Sequence, residues 1–177
     1  MFVVENTLLV ATDWPNGMIT PELAVWAVSI GLDLQTQFRT LCERGITVAY
    51  NKAVALALQT KYDYFIFANN DIRPSPTLTQ PFLEHDADIV CVECPEPHPA
   101  AWSSPSAFHA AMWRASRATL KKIGAPWFVR KYNKQGTKQV RCCCEEFRDK
   151  AVRCGFSVGH SGWVDHKTWV RPGSRGD

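Results

Sequence analysis

Asn69, Asn70 and Asp71 follow directly on a short apolar run, residues 64–68 (YFIFA), and are themselves followed by Ile72, Pro74 and Pro76. A buried strand that stops in a polar triplet presents those side chains at the carboxyl edge of its sheet, where open α/β sheets bind ligands. Asp71 is therefore the first candidate for a functional carboxylate. The same residue types also favour an ordinary strand-to-turn transition, and local pattern does not separate the two readings. Arg130, Lys131, Lys134, Lys138 and Arg141 crowd one stretch. Such a cluster suits a phosphate-bearing ligand or an anionic acceptor, or else is a solvated loop. Cys91 and Cys94, with the triplet Cys142, Cys143 and Cys144, raise the question of zinc. Against zinc, the first pair lies in a predicted strand and the triplet is not a usual ligand spacing, so buried free thiols are the competing reading.

The chain has 177 residues, enough for one domain with a substantial core, and at 46% hydrophobic and 21% charged it is globular rather than disordered. A formal net charge of +3 is too small to argue for nucleic acid by itself. Seven cysteines, an odd number in a chain too large to need disulfides, point to free thiols and a reducing, cytoplasmic setting. Residues 1–6 have no basic region of the kind that opens a secretory leader. The most apolar helical stretch, residues 23–34, is too short to span a membrane and is broken by Gly31 and Asp33.

These residues need elements to position them. Residues 8–14 (LLVATDW) read as a first strand. Thr20, Pro21 and Glu22 start a helix on which Leu23, Trp26, Ala27 and Ile30 recur at helical spacing. Residues 37–42 are a second strand or a continuation of that helix. From Thr47 the run TVAYNKAVALALQT is a strong helix, with Val48, Asn51, Lys52 and Ala55 on one side and Val54 and Leu58 nearby. After the central strand come a short helix over 77–85, limited by Pro81, a strand over 88–94 and a Pro-rich loop over 95–106 long enough to be a lid. A strand is predicted over 107–113 and a helix over 115–122, ended by Gly124, then an apolar corner at 125–128 and a basic loop over 129–140. A helix over 144–154, an extended segment or strand pair over 156–166 and a mobile tail from 171 complete the chain. Alternating strands and helices predict an α/β fold with a mostly parallel central sheet flanked by helices, one domain over 1–170 with a flexible tail at 171–177.

In this order and spacing the chain resembles a small, soluble GT-A-fold glycosyltransferase of the inverting family 2 type, over roughly residues 7–167. KYDYFIFANNDIRPSP resembles the strand that carries an acid-any-acid metal motif, and LEHDADIVCVEC the helix end and strand after it. MWRASRATLKKIGAPWF resembles the acceptor-side segment, and EEFRDKAVRCGF the acidic helix ending in Gly-Phe. His166 resembles a late metal-ligating histidine. ITVAYNKAVALAL resembles the helix that carries an Arg-Asn pair near the nucleotide. Three departures stand out: Asn69 replaces the first acid of the metal motif, Tyr50 replaces the arginine before Asn51, and Cys143 and Cys144 take the place of a Glu-Asp pair, with Glu145 and Glu146 slightly later.

The resemblance implies a nucleotide-sugar donor, a divalent Mn²⁺ or Mg²⁺ on Asp71 and His166 with Asn69 as a neutral oxygen donor, and a base from Glu145 or Glu146. Two neighbouring helical glutamates point about 100° apart, so at most one faces a site; as acids in a first turn, both also suit a helix start without any catalytic role. Thr12 and Asp13, with Asn51 and Asn70, are the implied nucleotide contacts. Trp14, Trp102 and Trp127 are candidates for stacking on a base or sugar, although core packing is the commoner role for tryptophan. Arg130 and Lys131 belong to a loop that would close over the diphosphate. The acceptor is open: protein, DNA, including a modified base, or a small molecule. A nucleotidyltransferase of the same fold would need a Gly-rich loop, and residues 8–20 contain only Gly17. A non-catalytic nucleotide- or sugar-binding protein of this fold is the other class that the departures allow.

Overall fold

The computed structural model describes residues 3–13, 19–43, 45–75, 77–93 and 108–166. The elements in chain order are β1 (Thr7–Asp13), α1 (Pro21–Ser29), β2 (Phe38–Cys42), α2 (Ile46–Gln59), β3 (Tyr64–Asn69), β4 (Ile72–Pro74), α3 (Thr79–Glu84), β5 (Ile89–Glu93), β6 (Met112–Ser116), α4 (Arg117–Ile123), β7 (Lys131–Tyr132), β8 (Gln139–Arg141), α5 (Cys143–Arg153) and β9 (Val158–His166). The main sheet has seven strands in the order β2-β1-β3-β6-β5-β9-β4. Strand β1 is parallel to β2 and β3, β6 is antiparallel to both β3 and β5, and β9 is parallel to β5 and antiparallel to β4. Five strands therefore share one direction, and β6 and β4 run against it. The α/β class with flanking helices is the one the sequence predicts.

The strands are apolar on both faces, and the two-residue period sorts them. Leu8, Val10, Phe65, Phe67, Ile89, Cys91 and Trp113 pack on the α2, α4 and α5 side; Leu9, Ala11, Ile66, Ala68, Val90 and Val92 pack on the α1 and α3 side. The first core is knit by rings. Phe67 stacks on Trp113 with centroids 4.2 Å apart, and Phe128 on Phe147 at 4.6 Å.

Helix starts follow their caps. The Thr20 side chain accepts from Leu23 N at 3.2 Å and donates to Ile72 O at 2.5 Å, fastening α1 to β4. The segment over 37–42 is a strand because Gln37 is tied down. Its Nε2 donates to the carbonyls of Val4, Glu5 and Thr7, and its Oε1 accepts from Asp33 N. On α2 the buried face is Ala49, Tyr50, Ala53, Val54 and Ala57, while Val48 is exposed. The sequence-predicted face is thus rotated, because small alanines let the helix lie close on the sheet. The strand predicted at 107–113 lies at Met112–Ser116 instead, and Ser116 caps α4 by accepting from Thr119 N at 3.1 Å. Directly after the Asn69, Asn70 and Asp71 triplet, Ile72–Pro74 form the short strand β4.

The predicted basic loop is a hairpin, β7–β8. Asn133 closes its turn: Oδ1 accepts from Thr137 N and Lys138 N, and the backbone N–H donates to Lys138 O at 2.8 Å. The Pro-rich loop over 95–106 and the tail over 171–177 lie outside the described residues. Among the described residues no helix is long and apolar enough to cross a membrane.

Candidate active site

Because β1, β2, β3, β5 and β9 point the same way, their carboxyl ends meet along one edge. Thr12, Asp13, Asn69 and His166 all lie there, with Asn70 and Asp71 in the turn that leaves β3. Thr12 and Asn69 are direct register partners. Ile72 pairs with His166, so the backbone sets Asp71 one position from the strand partner of His166. Residues 94 places apart are thereby gathered at one point of the edge. Trp14 and Trp102 lie outside the described residues.

Asn69 is held from two sides. Its Oδ1 accepts from Thr12 Oγ1 at 3.1 Å and from Tyr50 Oη at 3.2 Å. A carbonyl oxygen has two lone pairs, so both are engaged within the fold rather than offered to a cation. Tyr50 is 4% exposed. Burial drives its phenol well above the usual value, and nearby Cys144 adds to this, so it stays a neutral donor. Asn70 is buried; its N–H donates to Thr12 O at 3.0 Å and its carbonyl accepts from Thr20 N at 2.9 Å. Its backbone thus joins the end of β1 to the start of α1.

Asn51 is engaged by its own helix and by the apolar corner at 127–128. Its Nδ2 donates to Thr47 O at 2.9 Å and to Phe128 O at 2.7 Å, and its Oδ1 accepts from Trp127 N and Phe128 N. All four hydrogen-bonding positions of the amide are used, and the residue works as a clamp on the apolar corner. Trp127 is 9% exposed, with Nε1 donating to Leu120 O at 2.9 Å, so the ring fills the core.

The two glutamates separate as their spacing requires. Glu145 caps α5: its Oε2 accepts from Cys142 N at 3.0 Å, while the Cys142 side chain accepts from Glu145 N. Glu146 turns inward, with its side chain 8% exposed. Lys131 Nζ reaches its Oε2 at 2.7 Å, and Arg141 Nη1 approaches Oε1 at 3.0 Å as an ion pair outside hydrogen-bond geometry. Arg141 also pairs with Asp149 at 2.5 Å, and Asp149 with Arg148 at 2.8 Å. The basic hairpin is therefore docked on α5 through Lys131 and Arg141. Lys134 and Lys138 are exposed near its turn.

Cys142, Cys143 and Cys144 converge at the start of α5, their sulfur atoms within 4.8 Å of one another. Consecutive helical residues diverge, but Cys142 is the extended N-cap with φ −70° and ψ 148°, and its side chain folds back over the first turn. Hydrogen bonds from Cys142 and Cys144, and the nearby Arg130 guanidinium, draw the Cys143 thiol well below the usual range, and the other two are pushed up. The spacing argument against this triplet fails because the cap, not a loop, brings the sulfurs together. Cys91 is apart from them in character, fully buried with Sγ 3.7 Å from Gly159 O, and burial pushes its thiol up to about 12. Cys94 lies outside the described residues.

The fold is that of the GT-A-type glycosyltransferases. Among solved structures, the chain is similar to A197 from STIV, with TM-score 0.60 at 14% identity over 92% of this chain and 85% of that one. It is similar to a variant of Drosophila β1,4-galactosyltransferase 7 in complex with manganese, UDP-Gal and xylobiose, with TM-score 0.61 at 13% identity over 92% and 71%. It is likewise similar to glucosyl-3-phosphoglycerate synthase from Mycobacterium tuberculosis in complex with Mn²⁺, UDP and glucosyl-3-phosphoglycerate, with TM-score 0.52 at 16% identity over 93% and 72%. No protein-family model and no curated protein sequence matches the chain.

Proposed function

We propose that the chain is a metal-assisted glycosyltransferase that binds a nucleotide sugar at the carboxyl edge of the sheet and transfers the sugar, with inversion, to an acceptor hydroxyl. The observation that carries this reading is the convergence of Asp71 and His166 through the β4–β9 register, beside the ends of β1 and β3. Two proteins of this fold crystallised with manganese and a uridine nucleotide support the class of donor and cofactor.

The donor set fits such a cation in reduced form. By residue type Asp71 would supply a carboxylate and His166, brought here by its backbone register, an imidazole, ligands that suit Mn²⁺, whereas the Asn69 oxygen is already engaged. A divalent ion on Asp71 and His166 would stabilise the charge developing on the departing diphosphate. The rest falls to the chain. Thr12 and Asp13, at the end of β1, line the nucleotide side. In the transfer, the bond from the anomeric carbon to the diphosphate oxygen breaks with its electron pair leaving on phosphate. The acceptor oxygen bonds to that carbon from the opposite face, and its proton passes to a carboxylate. Of the two glutamates, Glu145 is the better base candidate. It uses Oε2 on the cap and keeps Oε1, whereas Glu146 has both oxygens against cations. The hairpin, with Lys134 and Lys138 exposed, is the natural acceptor side.

The test is a thermal-shift panel of nucleotide diphosphates and nucleotide sugars with and without Mn²⁺, followed by donor hydrolysis. A ligand at a hundred times its dissociation constant adds about 2.7 kcal/mol. A Mn²⁺-dependent shift with one nucleotide class, lost in Asp71→Ala, is expected. No shift with any nucleotide overturns the reading.

The neutral Tyr50–Asn69 pair favours a second reading, a binding protein of this fold without turnover. It predicts a nucleotide shift without donor hydrolysis. A DNA acceptor would be marked by a steep loss of binding with salt, reduced in Lys134→Glu and Lys138→Glu.

A further inference from the structure

The three thiols at the start of α5 have no part in the transfer chemistry above. We propose that Cys142, Cys143 and Cys144 form a three-thiolate site for one thiophilic d¹⁰ cation of the zinc class.

Three features of the site support this. The first is spacing. Thiolates on a tetrahedral ion with bonds of about 2.3 Å sit about 3.8 Å apart. The sulfurs already lie within 4.8 Å of one another, so binding closes each gap by at most about 1 Å. The second is access. Cys143 is buried, while Cys142 and Cys144 are partly exposed, so an ion can enter past them and take water as a fourth ligand. The third is charge. Three thiolates around a divalent ion carry one net negative charge, and the site supplies compensation from the N-terminus of α5 and from Arg130 beside Cys143. Thr47 Oγ1, buried and without a hydrogen-bond partner in good geometry, also lies against Cys143. The ligands are soft, which selects zinc-class or cuprous ions over the hard cations that suit Asp71. Binding forms three metal–sulfur bonds and releases the thiol protons still present to solvent, with no change of oxidation state.

The experiment uses the intact chain, reduced with a phosphine, with no nucleotide or Mn²⁺, so it can fail or succeed independently of the donor-site reading. Titration with Cd²⁺ should develop ultraviolet thiolate-to-cadmium absorption that saturates at one equivalent with the intensity of three thiolates. Zn²⁺ should displace it, and Cys142 and Cys144, the two partly exposed thiols of the site, should become closed to a disulfide reagent. Cys142→Ser and Cys144→Ser should each weaken binding at least tenfold, while Cys154→Ser leaves it unchanged. X-ray absorption of the zinc-loaded wild-type chain provides a readout that needs no variant, with three sulfur neighbours expected. No saturable absorption, a sulfur count other than three, or equal loss in Cys154→Ser overturns the site.

Discussion

Tyr50 Oη donates to Asn69 Oδ1 at 3.2 Å, joining two of the positions at which the sequence departs from the glycosyltransferase pattern it resembles. The two residues are neighbours in space, and both are neutral. A double-mutant cycle on Tyr50→Phe and Asn69→Ala should therefore give a coupling of about 0.5–1.5 kcal/mol in urea unfolding. Additive losses would mean that the contact contributes nothing.

Asn69→Asp should restore a second carboxylate beside Asp71. The Thr12 and Tyr50 hydroxyls already face that oxygen and can donate to a carboxylate. Mn²⁺ affinity, read by calorimetry, should rise about tenfold through the added charge. Unchanged affinity would place the cation elsewhere.

Asn51→Ala removes four hydrogen bonds and strands the backbone N–H groups of Trp127 and Phe128. The expected cost is about 2–4 kcal/mol in denaturant unfolding, with nucleotide affinity per folded molecule unaltered. A selective loss of nucleotide affinity at full stability would instead make Asn51 a ligand contact.

Glu146→Gln weakens the grip of α5 on Lys131 and Arg141. Both cations are partly exposed, at 54% and 37%, and can regain water, so global stability should fall by only about 1 kcal/mol. Amide hydrogen exchange over β7–β8 should accelerate about tenfold, because local opening no longer breaks the ion pairs. Glu145→Gln should leave that exchange unchanged and lower the transfer rate.

Asp149 gives the fold a dependence on acid. Its carboxyl is held below the usual 3.8 chiefly by the hydrogen bond from Arg141. A depressed folded value means that the contribution is fully present above pH 3.8 and is lost as pH falls through the folded value. For a partly exposed pair this is about 0.5–1 kcal/mol, or roughly 1–4 °C in melting temperature. The difference between wild type and Asp149→Asn should appear at neutral pH and vanish on acidification below that range. A constant difference would rule out the pairing as its source.

Most of the elements were readable from local rules, since strands buried on both faces are continuous apolar runs and the starts of α1, α4 and α5 carry their own caps. Thr20-Pro21, the YFIFA run and the first-turn acids of α5 are signals of this kind. The α/β class and the carboxyl-edge position of Asn69, Asn70 and Asp71 followed from them. Three features were not readable. The strand and helix at Met112–Ile123 sit further along than their hydrophobicity suggests, because Ser116 and the pairing of β6 between β3 and β5 set the boundary. Asn51 matched a nucleotide motif, yet its amide went to a corner 76 residues away. The triplet of thiols is not a usual ligand spacing, and the extended cap at Cys142 drew it together. For Asn51 and the β6 boundary the outcome depends on which distant backbone group is met. That meeting depends on strand order and register, and a linear pattern of residue types carries neither.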